Sequence, residues 1–333
     1  MDQKINCLVT GAAGFIGSHV ADHLIEKGYN VVAMDDLSGG FMENIDKRST
    51  FIQGSVTDAG LVKQLFEEYK FDYVFHLAAY AAEGLSHFIR RFNYENNLVG
   101  SINLINESIK HKVKCFVFTS SIAVYGKNQL PMSEELTPVP EDPYGVSKYA
   151  VELDLQCAHE LFGLNYIIFR PHNVYGERQN IGDRYRNVIG IFMNKLLQGE
   201  DLVIFGDGTQ TRAFSYISDV APVIADSINF AAAYNHVFNI GADKPYSVNE
   251  LAEVVIEQMG IKGKIIHEPA RNEVVHAFSD HAKVRKYFSI DNDPETLENG
   301  IKKMAKWVNE HGARSTAKFK NIEIEEKLPP SWK

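Results

Sequence analysis

The stretch that decides the fold reads Thr10-Gly11-Ala12-Ala13-Gly14-Phe15-Ile16-Gly17. An apolar run at residues 5–9 precedes it, and a pattern with apolar side chains on one helical face follows it and ends at Gly28. A strand, a glycine turn and a helix in this order are typical of a dinucleotide-binding unit, although the spacing is GxxGxxG and not the general GxGxxG. Gly11 permits the tight turn, Gly14 lets backbone N–H groups approach a pyrophosphate, and Gly17 allows close helix packing.

The next predicted strand, residues 30–34, ends at Asp35 and Asp36. A carboxylate about 20 residues beyond the glycines binds the adenosine ribose hydroxyls and repels a 2′-phosphate. The sequence therefore predicts NAD, and not NADP, as the cofactor.

Further strands and helices alternate along the first half of the chain. The predicted strands cover residues 51–53, 73–77, 115–118 and 166–169, and the predicted helices cover 59–69, 94–112 and 144–162. This alternation indicates an α/β fold, with a doubly wound parallel sheet covered on both faces. We expect a Rossmann domain at residues 1–170 and a smaller interleaved domain at 171–333, whose last 20 residues are predicted to form a loosely ordered tail.

Composition and charge exclude several classes of protein. Hydrophobic residues make up 45% and charged residues 23% of the chain, and the formal net charge is −9, which argues against nucleic-acid binding. Cys7, Cys115 and Cys157 are widely spaced and form no metal-binding pattern, so we expect reduced thiols and no metal. No apolar run is long enough for a signal peptide or a membrane span, and the sequence therefore predicts a cytoplasmic protein without a membrane partner.

The candidate catalytic residues are Tyr144, Lys148 and Ser121. Tyr144 and Lys148 lie four residues apart at the start of a predicted helix, so their side chains share one face. Because a nearby ammonium favours the phenolate, we expect Lys148 to lower the pKa of Tyr144. Such a tyrosine can take a proton from a sugar hydroxyl and return it, and Ser121, at a strand end, is placed to hydrogen-bond the same hydroxyl. His76, in contrast, is predicted to be a packed strand residue.

With these residues laid out, the chain resembles the extended short-chain dehydrogenase/reductase family, and within it the nucleotide-sugar epimerases and dehydratases. The resemblance runs from Gly11 to about Lys286 and rests on eight segments in order: TGAAGFIGS, MDDL, HLAA, FTSSIAVYG, PYGVSK, RPHNVYG, IFGDGTQTRAFSYISDV and PARNEVVHAFSD. It implies a tightly held NAD and a nucleoside-diphosphate sugar as substrate. In such enzymes hydride passes from C4 of the sugar to the nicotinamide, which gives a transient 4-keto sugar.

The resemblance also implies roles for individual residues. Tyr144 would be the base, Lys148 would tune it and hold the nicotinamide ribose, and Ser121 would bind the C4 oxygen; Ser121 is preferred to Ser120 because it lies five residues before Gly126. The implied cofactor contacts are Gly11, Gly14, Phe15, Ile16, Gly17, Asp35, Asp36, Ser55, Val56, Leu77, Ala78, Ala79, Asn96, Thr119, Tyr144, Lys148 and Pro171. The implied substrate contacts are Ser86, Ser121, Asn173, Arg178, Val188, Phe205, Arg212 and Arg271, of which the last two would hold phosphates.

The residues after Ser121 bear on the reaction. Dehydratases that resemble this chain carry an Asp-Glu pair there, whereas this chain has Ile122-Ala123, which cannot move a proton. We therefore expect a 4-epimerase of a UDP-hexose, the nucleotide being the family's commonest. The alternatives are a UDP-glucuronate 4-epimerase, with Arg178 or Arg186 on the sugar carboxylate, and a dehydratase or 3,5-epimerase, with Glu83 as the missing acid.

Two further expectations come from the resemblance. A non-catalytic NAD-binding regulator is the least favoured reading, because such proteins commonly lose the tyrosine. Helices near residues 95–111 and 145–161 resemble those that pair in family dimers, and a homodimer is therefore expected.

Overall fold

The computed structural model describes residues 4–127, 129–270, 275–315, 318–329 and 332. In the first half of the chain, strands and helices alternate as predicted. The strands are β1 (Asn6–Thr10), β2 (Asn30–Asp35), β3 (Thr50–Gln53), β4 (Tyr73–His76), β5 (Cys115–Thr119) and β6 (Tyr166–Pro171). The helices are α1 (Phe15–Glu26), α2 (Ala59–Tyr69), α3 (Glu83–Ser86), α4 (Arg90–Tyr94), α5 (Gly100–Lys110) and α6 (Pro143–Phe162).

The second half has shorter strands. They are β7 (Val174–Tyr175), β8 (Leu202–Phe205), β9 (Thr211–Ala213), β10 (Ser215–Tyr216), β11 (His236–Ile240), β12 (Pro245–Ser247), β13 (Ile265–Glu268) and β14 (His276–Ala277). The helices are α7 (Val188–Leu197), α8 (Ile217–Asp226), α9 (Val248–Met259), α10 (Ala282–Phe288) and α11 (Leu297–His311).

Across the described residues, the main sheet has seven strands in the order β11-β6-β5-β4-β1-β2-β3, and all of its pairs are parallel. Every residue of β5 and β6 is buried, as expected for central parallel strands covered on both faces. On one face the core includes residues of α1 and α8, and on the other it includes residues of α2, α5 and α6. This is the doubly wound α/β architecture that the sequence predicted.

The order of the strands determines where a ligand can bind. The chain moves from β1 outward to β2 and β3, and then crosses back to β4 on the other side of β1. Ligands of such sheets bind at the carboxyl ends of the strands where the direction of winding reverses. That point lies between β1 and β4, next to the glycine turn.

The C-terminal segment is irregular but packed, so the prediction of a loosely ordered tail is wrong for its described part. The ring of Phe319 lies 5.3 Å from that of Tyr80 and 5.0 Å from that of Phe92. The Trp332 ring lies 5.5 Å from that of Tyr185. These apolar contacts hold the segment against the residues around α3 and α4.

None of the helices in the described ranges combines the length and the apolar character that a membrane span requires.

Candidate active site

A cleft opens at the carboxyl ends of the central strands. Every residue that the sequence predicts to contact the cofactor lines it, from Gly11 at the end of β1 to Pro171 at the end of β6. Ser121 and Asn173 line it as well. The active-site cleft is thus built by residues that are far apart in the sequence and are brought together by the parallel sheet.

The glycine turn leaves no room for side chains. Gly11 has φ +69°, and a Cβ there would lie 2.8 Å from the backbone nitrogen of Ala78. A Cβ on Gly17 would lie 2.0 Å from the carbonyl oxygen of Gly11. Gly14 precedes α1, no side chain caps this helix, and its first turn carries no acid and lines the cleft. Backbone N–H groups at a helix N-terminus of this kind fit the diphosphate of NAD.

Asp35 is held rigidly at the end of β2. One carboxylate oxygen accepts the N–H of Ala13 at 3.0 Å, and the other accepts the N–H of Leu37 at 2.7 Å. Each oxygen can accept a further hydrogen bond, so the carboxylate fits the ribose hydroxyls of NAD. Burial raises the pKa of Asp35, and the two backbone hydrogen bonds oppose this rise.

Tyr144 and Lys148 lie on the first turns of α6. The helix begins at Pro143, and the side chain of Asp142 caps it by accepting the N–H of Gly145 at 2.9 Å. Tyr144 and Ser121 both line the cleft. The Nζ of Lys148 lies 5.9 Å from the centroid of the Tyr144 ring and donates to the carbonyl of Thr119 at 2.8 Å.

The predicted lowering of the Tyr144 pKa by Lys148 is wrong for this structure. Burial raises the pKa of Tyr144, the charge of Glu83 adds to the rise, and Ser121 opposes it. Burial also lowers the pKa of Lys148 to about 7, with the nearby Glu152 opposing, so the lysine more readily loses the charge that would favour the phenolate. Desolvation therefore outweighs the attraction between ammonium and phenolate.

The two neighbouring serines have different environments. The hydroxyl of Ser120 donates to buried Glu152 at 2.5 Å, and Arg170 binds the same carboxylate through two nitrogens at 3.0 and 2.5 Å. Ser121 instead accepts the N–H of Ala123 at 3.1 Å, and its hydroxyl lowers the pKa of Tyr144. This geometry supports the choice of Ser121 as the residue that faces the substrate.

His76 is a packed residue of the sheet, as predicted. Its Nδ1 lies 2.8 Å from the hydroxyl of Thr10, and its Nε2 lies 2.8 Å from the hydroxyl of Ser101. Burial lowers its pKa to about 3, so the ring stays neutral. It joins β4 to β1 and to α5.

Among the predicted substrate residues, the structure separates two groups. Asn173 and Arg178 line the cleft, but the Arg178 guanidinium also forms an ion pair with Asp22 of α1 at 2.7 Å. The hydroxyl of Ser86 does not reach the cleft surface; it is buried and accepts the N–H of Tyr144 at 3.2 Å.

The other predicted substrate residues lie on the smaller strands and α7. Val188, Phe205 and Arg212 are outside the described lining of the cleft, and Arg271 lies outside the described residues. Val188 begins α7 and Phe205 ends β8. The Arg212 Nη1 donates to the carbonyls of Thr211 and Val275 at 2.9 and 2.8 Å.

The structure adds cleft residues from loops. Glu83 and Arg186, which the sequence raised only for alternative reactions, both line the cleft, together with Tyr80 and Asp183. Arg186 donates from Nε to the Asp183 carboxylate at 2.6 Å, and its guanidinium lies 5.0 Å from the centroid of the Tyr80 ring. The sequence signal for Asp183 was only its place in a polar, charged loop, because loops carry no period that identifies inward-facing residues.

Comparison with known proteins defines the class. The model of the NAD dependent epimerase/dehydratase family matches residues 7–241. A Methanocaldococcus jannaschii protein provisionally named UDP-glucose 4-epimerase is 38% identical over 308 residues, which cover 90% of this chain and 97% of that protein. The chain therefore belongs to the NAD-dependent epimerase/dehydratase family, and the glycine turn and Asp35 fit NAD.

Solved structures agree with this assignment. The UDP-glucose 4-epimerase of Thermotoga maritima, solved with UDP-glucose, is 36% identical with a TM-score of 0.88, covering 92% of this chain and 99% of that chain. The UDP-glucuronic acid 4-epimerase of Bacillus cereus, solved with UDP-glucuronic acid and NAD, is 28% identical with a TM-score of 0.84, covering 92% and 100%. Similar folds thus serve both neutral and acidic sugars.

Proposed function

We propose that this protein is an NAD-dependent UDP-hexose 4-epimerase that interconverts UDP-glucose and UDP-galactose through a transient 4-keto sugar. The observation that carries the proposal is that Ser121, Tyr144 and Lys148 together line a cleft that fits NAD. The similarity to UDP-glucose 4-epimerases over almost the whole chain supports the same conclusion.

In the proposed reaction the protein moves one proton. NAD, held by the cleft residues named above, would supply the acceptor and donor of the hydride. The Tyr144 oxygen takes the proton of the C4 hydroxyl and later returns it, while Ser121 hydrogen-bonds the same sugar oxygen. Lys148 in its protonated form, with Nζ 5.9 Å from the centroid of the Tyr144 ring, stabilises the phenolate. After the keto sugar rotates in the cleft, reduction of its opposite face inverts the configuration at C4.

The residues beside Ser121 argue for epimerisation and against dehydration. Ile122 and Ala123 are the first two residues of the short 3₁₀ turn that follows Ser121. Neither side chain can donate or accept a proton, so these two positions supply no acid or base for eliminating water.

A UDP-glucuronate 4-epimerase is the second candidate. It is favoured by the fold similarity to the Bacillus cereus enzyme and by two arginines, Arg178 and Arg186, that line the cleft.

We also propose roles for the two halves of the chain, an oligomeric state and a location in the cell. Residues 1–170 would hold NAD and residues 171–333 the nucleotide sugar, although β11 of the second half joins the first sheet beside β6. A homodimer in the cytoplasm would pair α5 and α6. The pairing is supported by exposed apolar side chains, Val146 at 39% and Leu153 at 43% on α6 and Val99 at 50% directly before α5.

The test of the proposed function uses purified protein without added NAD. A panel of UDP-, dTDP- and GDP-sugars, including UDP-glucose and UDP-glucuronate, is followed by proton NMR. Conversion of UDP-glucose into its C4 epimer is the expected result. A 4-keto-6-deoxy product, or epimerisation of UDP-glucuronate alone, would replace this proposal with one of its rivals.

A further inference from the structure

The backbone of Glu83 is held close to that of Tyr144. Its helix α3 packs against the start of α6. The hydroxyl of Ser86 connects the backbones of the two helices by two hydrogen bonds. Ser86 donates to the carbonyl of Glu83 at 2.6 Å and accepts the N–H of Tyr144 at 3.2 Å. Glu83 lines the cleft next to Tyr80 and Ala81, so its carboxylate belongs to the same wall as the reacting tyrosine.

The charge of this carboxylate also acts on the phenol of Tyr144. Glu83 raises the pKa of Tyr144, Asp142 acts in the same direction, and Arg186 opposes them. The C4 hydroxyl of a sugar must contact Tyr144 for the proposed reaction. The sugar therefore has to lie within the field of Glu83.

The positive side chains of the cleft are already paired with acids or carbonyls. Among the described lining residues the cations are Lys148, Arg178 and Arg186. Lys148 donates to the carbonyl of Thr119, Arg178 is paired with Asp22, and Arg186 is paired with Asp183. A sugar carboxylate would have to compete with Asp22 or Asp183 for an arginine, and it would do so in the presence of Glu83.

We propose that Glu83 is a specificity-determining residue, which makes the sugar end of the cleft accept hexoses with a neutral group at C6 and reject hexuronic acids. Its carboxylate accepts a hydrogen bond from a hydroxyl of a neutral sugar and repels the carboxylate of a uronic acid, because two like charges close together are unfavourable. This inference rests on the proposed function for the position of the sugar. It goes further by assigning the discrimination between neutral and acidic sugars to one side chain.

The test compares binding by calorimetry in the NAD-loaded protein. UDP-glucose, UDP-glucuronate and UDP are titrated into wild type, Glu83→Gln and Glu253→Gln, the last being an exposed acid of α9 far along the chain. Wild type is expected to bind UDP-glucose more tightly than UDP-glucuronate. Glu83→Gln should narrow that difference by about 10-fold or more, since removing one charge near a carboxylate is worth on this order. UDP alone, and every ligand with Glu253→Gln, should bind as in wild type.

A second readout separates charge from a structural effect. Activity should rise with pH as Tyr144 loses its proton, and the charge of Glu83 raises the pKa of Tyr144. Glu83→Gln should therefore move the rise of kcat/KM with pH to lower pH. A loosened α3 would instead lower kcat/KM at every pH and leave the pH of the rise unchanged.

The outcomes distinguish this inference from the proposed function. If no sugar is turned over but Glu83→Gln still narrows the affinity difference, the epimerase proposal fails and the inference stands. If UDP-glucose is epimerised but the affinity ratio is the same in wild type and Glu83→Gln, the inference is overturned and the epimerase proposal stands. Tighter binding of UDP-glucuronate than of UDP-glucose by wild type would also overturn the inference.

Discussion

Tyr144 is the residue on which the proposed chemistry depends. Replacing it with Phe keeps the ring but removes the oxygen that takes the proton. We expect Tyr144→Phe to lower kcat by about 10²–10⁴-fold, the usual contribution of a general acid or base. The measurement is the NMR rate of UDP-glucose conversion. Tyr149→Phe, on the same helix and outside the described cleft lining, is the matched control and should stay within about two-fold of wild type. Near-normal turnover by Tyr144→Phe would refute its role as the base.

Lys148 should give the cofactor-free protein a distinctive pH dependence. Burial lowers its pKa to about 7 from an ordinary 10.5, so between these values the unfolded chain binds more protons than the folded one. Stability must then rise with pH across this window, and a Lys148→Met variant lacks this contribution. Thermal unfolding at pH 7 and pH 10 should show a rising Tm for wild type relative to Lys148→Met. Parallel curves for the two proteins would contradict the lowered pKa.

For individual residues, the sequence could predict which ones belong to motifs, but it could not predict how far their side chains are removed from water. The glycines, Asp35 and Ser121 were identified because the chemistry of a motif requires those residue types at that spacing. The predicted direction of the shift in the Tyr144 pKa was wrong, because the shift depends on burial, which a spacing of four residues does not reveal. Asp183 was missed because its pairing with Arg186 is a tertiary contact within an irregular loop.

Among the elements, α4 depends on a side chain from the C-terminal segment. The carboxylate of Glu323 accepts the N–H groups of Arg91 at 2.8 Å and Phe92 at 2.9 Å, in the first turn of α4. We expect Glu323→Ala to lower the free energy of unfolding by about 0.5–2 kcal/mol, the usual cost of losing a helix cap. Thermal or chemical unfolding measures it.

The control for this prediction is Glu326→Ala, an exposed acid of the same segment. It should leave stability within about 0.5 kcal/mol of wild type. Equal stability of the Glu323 and Glu326 variants would mean that the cap contributes nothing.

Helices and strands with a clear period were predicted well, and their ends and irregularities were not. The helix predicted over residues 94–112 begins four residues earlier, as α4, and passes through a π-helical turn, Glu95–Val99, before α5. In that turn the side-chain amide of Asn97 accepts the backbone N–H of Tyr80 at 2.8 Å and donates to the Tyr80 carbonyl at 3.1 Å. The cap by Glu323 could not be predicted either, because its partner Phe92 lies 231 residues away in sequence.

For the whole molecule, the exposed apolar face of α6 predicts a dimer. Val146 and Leu153 lie two turns apart on this helix and are 39% and 43% exposed. If this face pairs with its copy, Leu153→Asp places a charge in an apolar interface and should convert the dimer into a monomer. Light scattering coupled to gel filtration measures the mass. Ile266→Asp, at a similarly exposed position of β13, should leave the mass unchanged. A wild-type monomer would contradict the proposed homodimer.

The architecture was predictable because alternating strands and helices allow few arrangements other than a doubly wound parallel sheet. The exception is the edge strand β11, which pairs with β6 although several helices and strands separate them in sequence. No local pattern in residues 236–240 specifies that partner. This return of the chain is what joins the two halves of the protein.

A 4-epimerase breaks the C4–H bond of the sugar and remakes it at the same carbon. The fate of deuterium in UDP-glucose labelled at C4, followed by NMR during turnover by the purified protein, tests this directly. We expect UDP-galactose to form with deuterium at C4 and no deuterium to appear in water. Deuterium found at C6 of a keto-deoxy sugar would show dehydration, and deuterium released to water would show proton abstraction at carbon. Either result would contradict epimerisation through a 4-keto sugar.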